Sequence, residues 1–441
     1  MATRRLLLRN GFVLTMDPAI GDIDGGDVLI EDGRIARVGR QLPAAAPVID
    51  CTDRIVLPGF VNTHLHMFQT ALRSYWADAL QATYFTQSRE GQAGILHQFT
   101  PEDVHIGEYV GALESLSAGT TTVVDTSQCS YTPAHTDAAL DAIACSGIRC
   151  VFSYSPTSGE HHPAASYAYP HDIHRLLRDP PITGARDRIR FALGYFVDQE
   201  DFRLGHELGL PVFAHVNFAF VGHLLEQLEP EGLVGPWNTY IHCLDLDEST
   251  WQVIARTGGK VSLSCHIEQT LGMGEPALQH ALDRGIPASL SADAVSLGAI
   301  DMFTQMRAAL AVQRRGIANA ERDDQSAPIT PLTTREVLRM ATLGGAEAAH
   351  IDDLVGSLAP GKRADIVLLN TRALNTAPRT NPVGAVVHNM DTSNVETVVV
   401  DGHIVKHDGH LLDVDLDQAV DELTASAASV LSRSGYGPTI S

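Results

Sequence analysis

Lysine is almost missing from this chain: Lys260, Lys362 and Lys406 are the three lysines among 31 basic residues in a sequence of 441. That scarcity removes most candidates for Schiff-base or lysine-base chemistry. The six cysteines (Cys51, Cys129, Cys145, Cys150, Cys243 and Cys265) form no Cys-x-x-Cys pair, which argues against a disulfide framework or a thiol-based redox motif. No apolar run approaches the roughly 18 to 20 residues that a membrane span requires. At the N-terminus, Arg4-Arg5-Leu6-Leu7-Leu8 is followed by Arg9-Asn10 rather than by a longer apolar core, unlike a signal peptide. The expectation is therefore a cytoplasmic protein. A net charge of -22 argues against nucleic-acid or anionic-membrane partners and leaves a small neutral or cationic molecule as the natural one. A homo-oligomer is expected as well.

With 44% hydrophobic and 19% charged residues the composition is that of a globular protein, long enough for one large domain and a smaller one. Both ends read as short strands broken by turns such as Asp32-Gly33 and Asp401-Gly402. Neither end carries enough strands for a sheet of its own. We therefore expect residues 1–56 and 357–412 to pair into one small β-sandwich domain around a large insertion, residues 57–356. Residues 413–441 are expected to form a C-terminal helix, over 416–432, and a tail. Within the insertion, short apolar or β-branched runs alternate with helical spacing. Candidate strands lie at 55–57 leading to His64, then 121–125, 150–154, 190–196, 212–215, 240–242, 261–264 and 288–293. Eight such units fit the (β/α)8 TIM barrel of the α/β class. An open doubly wound sheet fits less well, because its Gly-x-Gly-x-x-Gly turn is missing. Residues 319–331 are polar enough to be a surface loop.

In a strand, residues i and i+2 share a face, so His64 and His66 can converge on one metal ion. Alone, the pair would mean little. Other ligand-type residues, however, sit at matching ends of later strands: His215 on the fifth, His242 on the sixth and Asp293 on the eighth. Barrel enzymes place their chemistry at those C-terminal ends. We expect His64, His66, His215 and Asp293 to hold one divalent metal ion, zinc first, with iron, manganese or cobalt as alternatives.

Three motifs together resemble the amidohydrolase superfamily, in its cytosine-deaminase, chlorohydrolase and 8-oxoguanine-deaminase-like branch. They are Pro58-Gly59-Phe60-Val61-Asn62-Thr63-His64-Leu65-His66, Ala118-Gly119-Thr120-Thr121-Thr122-Val123, and Gly356-Ser357-Leu358-Ala359-Pro360-Gly361-Lys362-Arg363-Ala364-Asp365. The resemblance implies the same four metal ligands and a substrate-facing role for His242. Two-metal members commonly use a carbamylated lysine after the fourth strand, and no lysine precedes Lys260 here, so a one-metal site is expected. The implied activity is hydrolysis of a carbon–nitrogen bond in a small N-heterocycle or amidine, with water activated by the metal, Asp293 moving its proton and His242 stabilising developing charge.

One position departs from that branch. Its deaminases usually carry a glutamate three residues after the fifth-strand histidine, and here the residue is Phe218. Glu268 is the first candidate for the missing acid. Phe218 equally suits cleavage of a halide, thioether, thiocarbamate or amide, or a lyase step. Gln69, His161 (with its neighbour His162) and Trp76 (with Tyr84) are expected to contact substrate.

Overall fold

The computed structural model describes residues 4–43, 45–89, 94–155, 169–170, 172–182, 184–194, 196–322 and 329–437. They divide into two compact units. One comprises Met1–Asn62, Ser115–Thr122 and Asp301–Val414, and the other Thr63–Glu114, Val123–Ile300 and Asp415–Ser441.

In the first unit, both ends of the chain build one nine-stranded sheet. Its order is His410–Leu411, His403–His407, Val395–Val400, Ile366–Asn370, Arg54–Pro58, Arg5–Val13, Ile23–Glu31 and Arg34–Gly39, with Val48–Asp50 pairing Arg5–Val13. The two ends meet where Ile366–Asn370 runs antiparallel to Arg54–Pro58. Alternating side chains, among them Leu8, Val28, Ile30, Val56, Ile366, Leu368 and Val399, close an apolar core on one face.

The run Ile55–Leu57, expected to lead into the barrel, belongs to this sheet instead, pairing with Leu369, Leu368 and Val367. The barrel strand starts two residues after Pro58, at Phe60. The hinge residue, Gly59, must lack a side chain: a Cβ there would lie 2.0 Å from Thr121 Oγ1. The expected loop also begins later than residue 319, because the helix Met302–Arg322 extends into its first residues on good helix formers.

The other sheet is the parallel barrel. Its strands are Phe60–His66, Thr120–Thr126, Arg149–Tyr154, Ile189–Leu193, Val212–His215, Asn238–Ile241 and Lys260–Leu263, and the eighth is split. Ala288–Leu290 pairs the seventh strand, while Asp293–Ala294, two residues on, pairs the first and so closes the ring. Helices such as Pro101–Ser117, Pro133–Ser146 and Glu248–Thr257 separate the strands. The terminal helix runs over Leu416–Ser434, with Ser426 donating to Asp103 at 2.6 Å.

Barrel interiors are usually packed with branched aliphatic side chains. This one has a cluster of hydroxyls between its first, seventh and eighth strands. Thr63 Oγ1 lies 2.7 Å from Ser262 Oγ and 2.9 Å from Ser289 Oγ, and Ser291 Oγ joins Ser262 at 3.0 Å and Ser264 at 2.7 Å. All five residues are fully buried, and mutual hydrogen bonds offset the loss of water.

Candidate metal centre

Above those hydroxyls, four histidines and one aspartate meet at the C-terminal ends of the strands. His64 lies edge-on to both His66 and His215, with ring centroids 4.7 Å away in each case. His242 is 5.6 Å from His64 and 5.3 Å from His215. Asp293 reaches into the group: Oδ1 lies 3.2 Å from His64 Nε2 and 3.5 Å from His66 Nε2, and Oδ2 lies 3.8 Å from His242 Nε2. One donor atom from each of His64, His66 and His215 falls within 4.8 Å of the others, and so do donors of His64, His242 and Asp293.

The donor set suits a first-row divalent cation, and the outer nitrogens of His64 and His66 are already engaged. Thr126, at the end of the second strand, faces both histidines of the first. Its carbonyl accepts from His66 Nδ1 at 3.0 Å, and its hydroxyl lies 2.7 Å from His64 Nδ1. The carbonyl fixes the proton of His66 on Nδ1, which leaves the Nε2 lone pair for a metal. Burial, reinforced by His64, His242 and His66, holds His215 well below the usual histidine pKa and therefore neutral.

The backbone around the centre is held in the left-handed region without glycine. Phe218, His242, Cys243 and Asp293 have φ of 71°, 66°, 58° and 63°. Such angles are costly for side chains of this kind and persist where surrounding contacts enforce them. At His242, the N–H donates to Ser262 O at 2.9 Å.

Glu268 does not face the centre as a free acid. Its Oε1 accepts from His242 Nδ1 at 3.0 Å and from Ser264 N–H at 2.8 Å, so it stands behind His242 and aims that ring's Nε2 at Asp293. Gln69 is buried, with its carbonyl accepting from Ser296 Oγ at 2.8 Å and its amide donating to Tyr84 Oη at 3.3 Å. Trp76 is fully buried; it donates to Gln87 Oε1 at 3.0 Å and packs edge-on against Tyr75 and Tyr84, so its ring serves as packing rather than as an exposed wall. His161 and His162 lie outside the described residues.

A second cluster lies beneath the turn Met67–Leu72. Glu108 and Asp125 are fully buried carboxyls, and Asp125 Oδ1 accepts from Met67 N–H at 3.3 Å. Burial, with the charge of Asp125 added, raises Glu108 well above the usual carboxylate range, and burial pushes Asp125 up to about 7. Burial and the like charge of its neighbour therefore favour the protonated form of Glu108.

Sequence reasoning missed Thr126, the Ser262–Ser264–Ser291 hydroxyls, Ser296 and Phe196. Thr126 carried a signal, being a polar residue at the C-terminal end of a barrel strand. The bond from Ser296 to Gln69 joins residues far apart in the chain and carried none, and neither did the bridge from Phe196 to His215. Among the described residues, no helix is long and apolar enough to cross a membrane.

The Amidohydrolase family pattern matches residues 55–190 and 212–405. A 5'-deoxyadenosine deaminase of Methanothermobacter thermautotrophicus is 32% identical over 96% of this chain and 99% of its own length. A 5-methylthioadenosine/S-adenosylhomocysteine deaminase of Desulforamulus reducens is 27% identical over 96% and 98%. An adenosine deaminase from Xanthomonas campestris, solved with bound zinc, superposes with a TM-score of 0.83 at 23% identity, covering 97% of this chain and 98% of that one. A zinc complex of atrazine chlorohydrolase TrzN from Arthrobacter aurescens gives 0.79, also at 23%, covering 96% and 100%. Near-complete coverage and the strand-end constellation agree, and the chain belongs to the amidohydrolase family.

Proposed function

We propose that this protein is a mononuclear zinc-dependent aminohydrolase that removes an exocyclic amino group from a small N-heterocycle, with adenine nucleosides as the first class to test. The observation that carries the reading is the convergence of His64, His66, His215 and Asp293 at one end of the barrel. The names of the full-length relatives supply the bond and the substrate class. We assign the barrel, from Phe60 to about residue 356, as the part that carries the reaction and residues 1–58 plus 357–412 as the supporting β domain. Unpaired thiols at all six cysteines suit a reducing, cytoplasmic setting.

A zinc ion held by these side chains supplies Lewis acidity and brings the ionisation of a water toward neutral pH. Asp293 takes the proton lost by the water and returns it to the departing amine, so that one water is consumed and one ammonia released. His242, fixed from behind by Glu268, points Nε2 toward the atom on which negative charge develops. Glu268 is thus a positioning residue, acting through His242.

A second reading rests on Phe218. With no carboxylate at that position, cleavage of a bond whose leaving group departs without ring protonation is favoured, as with a halide. Product masses in 18O-labelled water separate the two readings by the group lost. Zinc-loaded protein is expected to release ammonia from 5'-deoxyadenosine or 5-methylthioadenosine. His242→Asn is expected to lower kcat by about 100- to 1,000-fold with zinc content unchanged. No ammonia from a broad heterocycle panel at full zinc occupancy would sink the aminohydrolase reading.

A further inference from the structure

Four of the eleven exposed large apolar side chains among the described residues fall in one stretch of sequence: Phe196, Phe218, Phe220 and Leu224. All four lie on the segments beside His215. Phe196 follows the fourth strand, forms a parallel bridge with His215, and its ring centroid is 5.9 Å from the imidazole, yet half of the residue, 50%, stays exposed. Phe218 lies three residues beyond His215 and precedes the helix Ala219–Leu228. Its N–H donates to Leu244 O at 2.8 Å, which pins a phenylalanine at φ 71° with its side chain partly in water. Phe220 stacks parallel to Phe218, with centroids 6.0 Å apart and planes 7° apart, and is 70% exposed.

A lone exposed phenylalanine means little, but a group of them beside a buried polar centre is a surface awaiting an apolar partner. The strain at Phe218 adds to that argument, since its side chain, held at φ 71°, stays 36% exposed instead of being fully buried. Flat aromatic faces bind flat rings by stacking, without regard to ring hydrogen-bonding pattern.

We propose that Phe196 and Phe218 hold the ring of the substrate against the metal centre, and that Phe220 extends this surface to an apolar substituent, so that the enzyme selects adenine nucleosides lacking a charged 5' group. The proposal rests on the aminohydrolase reading for its substrate class. It replaces recognition through a ring-protonating carboxylate by recognition through ring stacking.

The test uses the zinc-loaded full chain with His242→Asn as background, so that binding is measured without turnover, and calorimetry with 5'-deoxyadenosine and adenosine 5'-monophosphate as probes. Saturable binding of 5'-deoxyadenosine is expected, with the monophosphate weaker by about tenfold or more. Adding Phe218→Ala or Phe196→Ala should weaken 5'-deoxyadenosine binding by about tenfold each, whereas Phe218→Tyr should restore it to near the parent value. Zinc content and melting temperature, measured in parallel, identify any variant that has lost its fold; Phe218→Leu, apolar but not aromatic, then serves in place of alanine and should still bind more weakly than Phe218→Tyr. Unchanged affinity in folded alanine variants overturns the proposal, and so does failure of the parent to bind 5'-deoxyadenosine. Intact ring binding with no ammonia released by the wild-type enzyme instead overturns the aminohydrolase reading and leaves the stacking surface standing.

Discussion

Glu268 stands behind His242, its Oε1 gathering both His242 Nδ1 and the Ser264 N–H. Replacing it by glutamine keeps size and hydrogen-bonding capacity but removes the charge that holds the Nδ1 proton in place. Glu268→Gln is therefore expected to lower kcat by about 10- to 100-fold with KM and zinc content nearly unchanged. Steady-state kinetics at full zinc occupancy check this, and an unaltered kcat would remove the positioning role. This residue also marks where sequence reasoning stopped. The meeting of His64, His66, His215 and Asp293 was legible because strand periodicity and the strand-end rule of barrels fix where such side chains point. The partner of Glu268 was not legible, because a carboxylate 26 residues beyond His242 can turn toward substrate, solvent or another side chain, and only packing decides among them.

At the level of elements, the helix Pro101–Ser117 and the strand Thr120–Thr126 trap Glu108 and Asp125 under the turn Met67–Leu72. Both carboxyls have raised pKa values in the fold, whereas in the unfolded chain they titrate near the usual value of about 4. Below that value the pair costs nothing. As pH rises, the unfolded chain ionises while the folded pair keeps its protons, so stability is lost progressively up to about pH 7, where Asp125 gives way. Neutral His215 contributes in the opposite direction, being favoured as pH rises, so comparison with a variant is needed. Relative to wild type, Asp125→Asn is expected to be more favourable at pH 8 than at pH 5, read from melting temperatures of the metal-free proteins. Equal differences at both pH values would contradict it. Element boundaries were less legible than element types: Ile55–Leu57 and Phe60-Val61 at the start of the first barrel strand are both apolar, and the Pro58-Gly59 break between them was easily read as punctuation inside one strand. The close approach of Thr121 to Gly59 is what separates them.

For the whole molecule, the candidate metal centre joins the first, fifth and eighth strands of the barrel, so the loss of a bound ion should be felt beyond the site. Removal of metal by a chelator is expected to abolish turnover and lower the melting temperature by several degrees, with both restored by zinc; free metal at 100 times its Kd contributes about 2.7 kcal/mol. A melting temperature indifferent to chelation would mean that these side chains do not hold a metal in solution. The split eighth strand carries a further consequence. Asp293 and Ala294 make the backbone pairing that shuts the ring against Leu65 and His66, and Asp293 is also the acidic member of the centre, 229 positions along the chain from His64. Closing the barrel and completing the site are therefore one event. It joins residues far apart in the chain, and such contacts form slowly because chain entropy opposes them. A refolding chain should regain strand and helix signal before it can take up zinc tightly, and stopped-flow circular dichroism beside a zinc-indicator dye would show the lag; simultaneous recovery would exclude it. Competence for chemistry arrives with the final turn of the ring.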